Sequence, residues 1–115
     1  MTTFLDIENY IMQKPSVTYD YPFDDKTRVY RIVGKIFALT QDRDPLSINL
    51  KCDPEYGLSL KLMYRGILEG YHMNKKHWNT VMVESDVPTP LLWTMINHSY
   101  EMVFNNLPRK VRDSW

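Results

Sequence analysis

Residues 28–40 read RVYRIVGKIFALT, and this stretch decides the fold. Branched and aromatic side chains, which favour extended backbone, fill the segments on both sides of Gly34. Glycine supplies the backbone freedom that a tight turn between two strands requires. The stretch therefore predicts a β-hairpin, with one strand over residues 28–33 and the other over residues 35–40.

Further strands are predicted on both sides of this hairpin. Residues 17–23 alternate loosely before it, and residues 46–52 alternate after it. Glycines bracket a short connection at residues 66–70, and two more extended segments follow at residues 71–73 and 78–83.

Helices are predicted at both ends of the chain. Phe4, Ile7 and Ile11 recur at helical spacing, and a threonine at position 2 or 3 can cap that helix before residues 14–15 end it. In the last helix, Thr89 can act as the cap, with a proline at the first position and an apolar stripe continuing to Pro108.

A middle helix is predicted over residues 54–66. Asp53 is a good N-cap, Pro54 fits the first helical position, and Glu55 favours the positive end of the helix dipole. Leucines at every second position also fit a strand, but the start signal favours the helix.

The predicted element order is α-β-β-β-β-α-β-β-α, within one strand. Such an order favours an α+β fold in which an antiparallel sheet carries helices on one face, a two-layer sandwich. At 115 residues, with 43% hydrophobic and 24% charged residues, the chain is predicted to be a single globular domain over residues 1–115.

Cysteine use and hydropathy indicate a compartment. Cys52 is the one cysteine, so no intramolecular disulfide can form, which favours a reducing environment. Residues 1–6 carry no basic or long apolar segment of a signal peptide, and no run of about 18 apolar residues exists. A cytoplasmic location without a membrane span is predicted.

No catalytic or metal-binding constellation is visible. His72 and His77 lie five residues apart, which matches no helical ligand pair, even with His98 as a third candidate. Cys52 has no adjacent base in sequence, so a buried structural thiol is the favoured interpretation. The sequence therefore predicts a protein that is not an enzyme and needs no cofactor or metal.

The formal net charge is zero, but the charges are unevenly distributed. Residues 26–41 contain four basic side chains and no acid, whereas five acids lie within residues 1–25. The basic residues of the first of these segments are Lys26, Arg28, Arg31 and Lys35. A balanced chain can still present a basic face.

The segment 70–80, GYHMNKKHWNT, combines two lysines with aromatic residues. Its lysines can contact phosphates, and Tyr71 or Trp78 could stack on a base. Equally, its aromatic residues can be core and its lysines a solvated turn, and from residues alone this interpretation is favoured.

Several blocks, taken in order, resemble the MmcQ/YjbR family, small bacterial proteins to which DNA binding is commonly ascribed. These blocks are VGKIFAL at 33–39, LKCDPE at 50–55, GYHMNKKHWNTV at 70–81, SY at 99–100 and LPRK at 107–110. The resemblance covers nearly the whole chain. Asp24 and Glu69 depart from it, since the family often has glycine and proline there, which leaves the local turn shape open.

The resemblance implies a secretion-chaperone-like or frataxin-like sandwich whose β-hairpins act as a double wing against DNA. It implies little base readout, with contacts mainly to phosphates. The implied DNA-binding residues are His72, Asn74, Lys75, Lys76, His77, Arg109, Lys110 and Arg112. A protein-binding adaptor or chaperone-like domain is the alternative, and a ligand-binding protein that uses His72 or His77 is a third hypothesis. The oligomeric state does not follow from the sequence.

Overall fold

A computed structural model describes residues 2–70, 74 and 76–112. Helices and strands alternate much as the sequence predicts. In chain order they are α1 (Phe4–Met12), β1 (Val17–Asp20), β2 (Thr27–Ile32), β3 (Lys35–Gln41), β4 (Ser47–Lys51), α2 (Pro54–Met63), β5 (Ile67–Glu69), β6 (Trp78–Met82), α3 (Thr89–Asn105) and α4 (Arg109–Arg112).

The predicted hairpin is confirmed at β2 and β3. Ile32 pairs with Lys35, so a two-residue turn of Val33 and Gly34 joins the strands. Both turn residues have positive φ, 48° and 80°, as the favoured hairpin turn requires. Glycine adopts this backbone without strain, whereas a branched valine does not.

The six strands form one sheet in the order β1-β2-β3-β4-β6-β5, and every neighbouring pair is antiparallel. Helices α1, α2 and α3 pack on one face, where their apolar side chains join those of the strands in the main core. The predicted α+β architecture is therefore confirmed. Fully buried members of this core include Ile7, Ile11, Tyr30, Phe37, Ile48, Leu50 and Ile96.

Local signals fix the helix ends. Thr3 caps α1 in a capping box with Asp6, and the Asp53 side chain accepts the Tyr56 N–H at the start of α2. For α3 the prediction was wrong, because Pro88 occupies the N-cap position without a side-chain cap and Thr89 already lies inside the helix.

The strand boundaries also differ from the prediction. β1 ends at Asp20, and α2 ends at Met63, so residues 64–66 lead into β5. Residues 67–69, predicted to belong to a connection, are strand β5, whereas the predicted extended segment 71–73 lies outside the described residues.

The sheet has two ends with different neighbours. The first, named here the Gly34 end, contains the β2–β3 turn, the last residue of β4 and the first residue of β6, since Lys51 pairs with Trp78. The second, named the Asp24 end, contains the loops 21–26 and 42–46 and the segment after β6. The candidate site lies at the first of these two ends.

Candidate nucleic-acid interface

The basic run 26–35 does not form one surface. Arg28 lies on the helix-covered face, where its Nη1 is 2.8 Å from Glu8 Oε2 and its side chain is 11% exposed. Its guanidinium carbon lies within 4.1–6.0 Å of four aromatic ring centroids. These rings belong to Phe4, Tyr19, Tyr21 and Tyr30. Arg28 is therefore part of the fold and is not available to a polyanion.

Electrostatics agree with this assignment. Burial alone would lower the pKa of Arg28, but hydrogen bonds to Tyr30, Glu8 and Tyr21 outweigh it, so its pKa lies above the ordinary value. Arg31, three residues later, points to the helix-free face, where Nε donates to Asp20 Oδ1 at 3.1 Å and Nη1 to Gly34 O at 3.2 Å. Both arginines thus have partners within the chain.

The Gly34 end gathers basic residues from separate parts of the chain. Lys35 begins β3 beside the turn, and Lys51 ends β4 opposite Trp78. The Cys52 N–H donates to His77 O at 2.7 Å, so the exposed Lys76, in the turn before β6, lies near the end of β4. Three lysines, from the start of β3, the end of β4 and the turn before β6, therefore lie at one end of the sheet.

Helix α3 brings the basic tail to the same end. The Ser99 hydroxyl is fully buried, accepts the Lys51 N–H at 2.9 Å and donates to Phe37 O at 2.5 Å. Tyr100 OH donates to Pro15 O, directly before β1, whose Val17 pairs with Ile32. The C-terminal part of α3 therefore points towards the Gly34 end. Short helix α4, with Arg109, Lys110 and Arg112, begins four residues after α3 ends, so we infer that it lies near the same end.

The Asp24 end is acidic by contrast. The Asp24 carboxylate accepts the N–H groups of Lys26 and Thr27, and Asp86 accepts those of Arg65 and Gly66. These backbone hydrogen bonds lower the pKa of both carboxyls. Further acids in this region are Asp25, Asp42, Asp44 and Glu84. The acids at this end therefore outnumber the basic residues Lys26, Arg43 and Arg65.

The predicted DNA-binding residues divide into four groups. Lys76, Arg109 and Lys110 are exposed at the Gly34 end. Asn74 builds the turn before β6, because its Oδ1 accepts the Lys76 N–H and its carbonyl accepts from His77 and Trp78. His72 and Lys75 lie outside the described residues.

His77 and Arg112 are half-buried at this end. His77 Nδ1 and Arg112 Nε are both shielded from solvent and find no hydrogen-bond partner among the described residues. Such groups are costly to leave unpaired.

Trp78 does not support the predicted base-stacking role. Its side chain is 8% exposed and packs with Val29, Leu39 and Ile36 in a second small core on the helix-free face. The alternative interpretation, in which this aromatic residue is core, is the correct one for Trp78. Tyr71 lies outside the described residues.

Sequence reasoning missed a cleft of about 960 Å³ on the helix-free face near the Asp24 end. Leu39, Asn49 and Thr80 form part of its floor, and Phe23 and Leu68 contribute exposed apolar walls. Thr80 Oγ1 donates to Asn49 Oδ1 at 2.5 Å. No single segment signals such a cleft, because five elements and two loops contribute to it.

The remaining candidates for chemistry have structural roles. Cys52 is buried, and burial raises the pKa of its thiol to about 11, so it is protonated at neutral pH. His98 Nε2 accepts the Asp53 N–H at 3.1 Å, and its ring packs edge-on against Tyr56. Within residues 2–70, 74 and 76–112, no cluster of three or more histidine, cysteine or acidic residues could hold a metal ion.

None of the described helices is both long enough and apolar enough to cross a membrane.

Comparison with known proteins agrees with the fold. The family model described as YjbR matches residues 12–102. The chain is 38% identical over 100 residues to the uncharacterized protein YbdF of Escherichia coli O157:H7. The aligned region covers 86% of this chain and 82% of YbdF. It is 25% identical over 111 residues to the uncharacterized protein YjbR of Escherichia coli strain K12. This alignment covers 96% of this chain and 94% of that protein. The crystal structure of Deinococcus radiodurans protein DR2400 superimposes with a TM-score of 0.93 at 36% identity, covering 99% of this chain and 88% of that one.

Proposed function

Since this chain belongs to the YjbR family, we propose that its Gly34 end binds the phosphate backbone of duplex DNA with little base readout. The observation that carries the proposal is that basic side chains from β3, β4, the turn before β6 and α4 gather at one end of the sheet, where Lys35 and Lys76 are exposed and Lys51 is half-buried. Six acids lie at the opposite end, whereas at the Gly34 end Asp53 and Glu55, at the start of α2, offset only part of the basic charge.

The chemistry of these side chains favours phosphate contacts over base contacts. Lysine ammonium groups on flexible stems act as point charges that neutralise phosphates and release counterions. Trp78 is buried in its own core, so an aromatic platform for stacking is not offered by that residue. Weak, salt-dependent and sequence-tolerant binding follows, with dissociation constants of about 1–100 μM at physiological salt.

Charge reversal tests the proposal. We expect Lys35→Glu combined with Lys76→Glu to weaken binding of a fluorescent random duplex about tenfold or more and to reduce the salt slope by about two. A matched control reverses two exposed bases at the other end, Lys26→Glu with Arg43→Glu, and should leave the affinity nearly unchanged. Equal effects of the two double variants would overturn the proposed location, and no salt-dependent binding by the wild-type chain would overturn the function.

The cleft favours a second candidate, a protein-binding adaptor. Phe23 is 68% and Leu68 49% exposed, so two large apolar side chains border a cleft with a partly polar floor. The proposed partner is an extended protein segment that places apolar side chains against these walls. Capture of a partner in nuclease-treated extract should be lost with Phe23→Asp and retained with Leu5→Asp, a site on α1 that is 60% exposed.

A further inference from the structure

The cleft near the Asp24 end runs across the strands of the sheet. Its lining residues come from β2, β3, β4, β6 and β5, which are successive neighbours in the sheet. Four interstrand spacings of about 4.8 Å give the cleft a length of roughly 19 Å. Phe23, in the loop before β2, lies at one end, and Leu68, on the edge strand β5, lies at the other. An extended segment of about six residues spans this distance.

The floor of the cleft carries polar side chains from neighbouring strands. Gln41 and Ser47 are paired across β3 and β4, and Asn49 lies two residues further along β4 on the same face. Gln41 Nε2 donates to Thr27 Oγ1 at 3.4 Å. Asn49 Oδ1 accepts the Thr80 hydroxyl at 2.5 Å. No further side-chain hydrogen bond joins Gln41 or Asn49 to the described residues, so Gln41 Oε1 can accept and Asn49 Nδ2 can donate.

Such a pair of amide groups matches a peptide backbone. Every residue of an extended segment, proline excepted, offers one N–H donor and one carbonyl acceptor. The donor can bond to Gln41 and the acceptor to Asn49, whatever the sequence of the segment. The exposed rings and chains of Phe23 and Leu68 then select apolar side chains at the two ends of the segment.

Carboxylates outnumber cations along the cleft. Asp24, Asp44 and Glu69 line it, whereas Arg43 is the one basic residue that lines it among the described parts of the chain. Hydrogen bonds from two backbone N–H groups, together with the charge of Arg43, lower the pKa of Asp24. Arg43 thus lies close enough to offset Asp24, while the exposed Asp44, in the loop between β3 and β4, borders the middle of the cleft. This balance attracts a cationic side chain and repels the phosphates of a nucleic acid.

We propose that the cleft binds an extended protein segment of about six residues, in which a lysine or arginine lies between two apolar side chains. The apolar side chains pack against Phe23 and Leu68, the backbone bonds to Gln41 and Asn49, and the cation pairs with Asp44. This inference rests on the adaptor, the second candidate function above, and specifies the chemistry of its partner. The segment and DNA occupy opposite ends of the sheet and do not compete.

Selection from a random-peptide library displayed on phage, with the full chain as bait, tests the chemistry of the segment. Phage that also bind the Phe23→Ser variant are removed, and the enriched peptides should carry a basic residue between apolar ones. Fluorescence anisotropy of a labelled enriched peptide should show about tenfold weaker binding to Leu68→Ser. Serine is chosen because an added carboxylate would itself attract a cationic peptide. Leu5→Ser, and Lys35→Glu combined with Lys76→Glu, should leave the affinity unchanged.

A charge exchange between peptide and protein tests the role of Asp44. Replacing the basic residue of the peptide by glutamate should weaken its binding to the wild type about tenfold. Asp44→Lys should restore the affinity for this glutamate peptide, and restoration also shows that the variant is folded. Asp42→Lys is the matched control, because Asp42 is exposed in the same loop but does not line the cleft, and it should restore nothing.

The outcomes distinguish this inference from the adaptor itself. Acidic or uncharged enriched peptides that still require Phe23 overturn the cationic partner but agree with an adaptor. Failure of Asp44→Lys to rescue the glutamate peptide, or equal rescue by Asp42→Lys, overturns the assigned position of the charge. No enrichment over the Phe23→Ser variant overturns both the segment and the adaptor. Circular dichroism of the serine variants shows whether a loss of binding follows from unfolding.

Discussion

Positive charge is used differently in two regions of this molecule. Arg28, on the helix-covered face, is enclosed by aromatic rings and bonded to Glu8, whereas Lys35, seven residues later, is exposed beside the hairpin turn. The two belong to one uninterrupted basic run in the sequence. Alternation along a strand and position relative to a turn decide which charge stabilises the fold and which remains available to a partner.

The largest expected effect comes from Arg28→Ala. Removing the guanidinium leaves the partly buried Glu8 carboxylate unpaired and strips four rings of their cation, so we expect a loss of about 3 kcal/mol in the free energy of unfolding. Urea denaturation measures it. Lys35→Ala, at the exposed comparison site, should change stability by less than about 0.5 kcal/mol. A similar loss for both variants would contradict the distinction between these regions.

Next in size is Ser99→Ala, which removes the hydroxyl that ties α3 to β3 and β4 near the Gly34 end. The Lys51 N–H and the Phe37 carbonyl both lose a partner in a buried site, so we expect a loss of about 2 kcal/mol. Thr94→Ala, on the exposed side of the same helix, is the matched control. If thermal and urea unfolding of Ser99→Ala matched the wild type, the proposed anchoring of α3 would be wrong.

A gain of stability is expected from Val33→Asn. Valine at φ 48° is strained, and asparagine followed by glycine is the preferred sequence of this turn, so we expect about 1 kcal/mol of stabilisation. Gly34→Ala provides the opposite test, since its φ of 80° disfavours any side chain even though the surrounding space is open. Destabilisation by Val33→Asn would show that the turn differs from the one described.

The smallest effect concerns acid stability at the Asp24 end. The Asp86 carboxyl has a lowered pKa in the folded protein because it accepts two backbone N–H groups. Its contribution to the free energy of unfolding is therefore fully present above the ordinary pKa of 3.8 and is lost as the pH falls through the lower pKa of the folded state. Asp86→Asn should therefore flatten the decline of stability below about pH 4. Urea midpoints measured from about pH 2 to 6 check this. An unchanged acid decline would contradict the role of this carboxylate.

The hairpin and the start of α2 could be predicted because their signals are local. Gly34 between two apolar runs and the Asp53-Pro54 pair each specify backbone geometry within a few residues. Strand β5 could not be predicted in the same way, because three residues are too few to display an alternating pattern. Its pairing with β6 determines it instead.

The candidate site could be predicted only in part. The tail residues Arg109 and Lys110 and the turn residue Lys76 stand out as basic residues in the sequence, and the direction of α3 brings the tail towards the end that contains Lys76. The role of Lys51 was missed, because only the strand order shows that the end of β4 lies beside Trp78. The enclosure of Arg28 also required the position of α1, which no residue of the basic run specifies.

The central claim is that the exposed basic residues of the Gly34 end bind the phosphates of a duplex. A titration of isotope-labelled protein with a random DNA duplex, followed by ¹H–¹⁵N correlation spectra at low and high salt, tests it most directly. The account predicts salt-sensitive shifts at the backbone amides of Lys35, Lys51, Lys76 and residues 109–112, with little change in the loops 21–26 and 42–46. Shifts concentrated in those loops, or none at any ratio of DNA to protein, would contradict it.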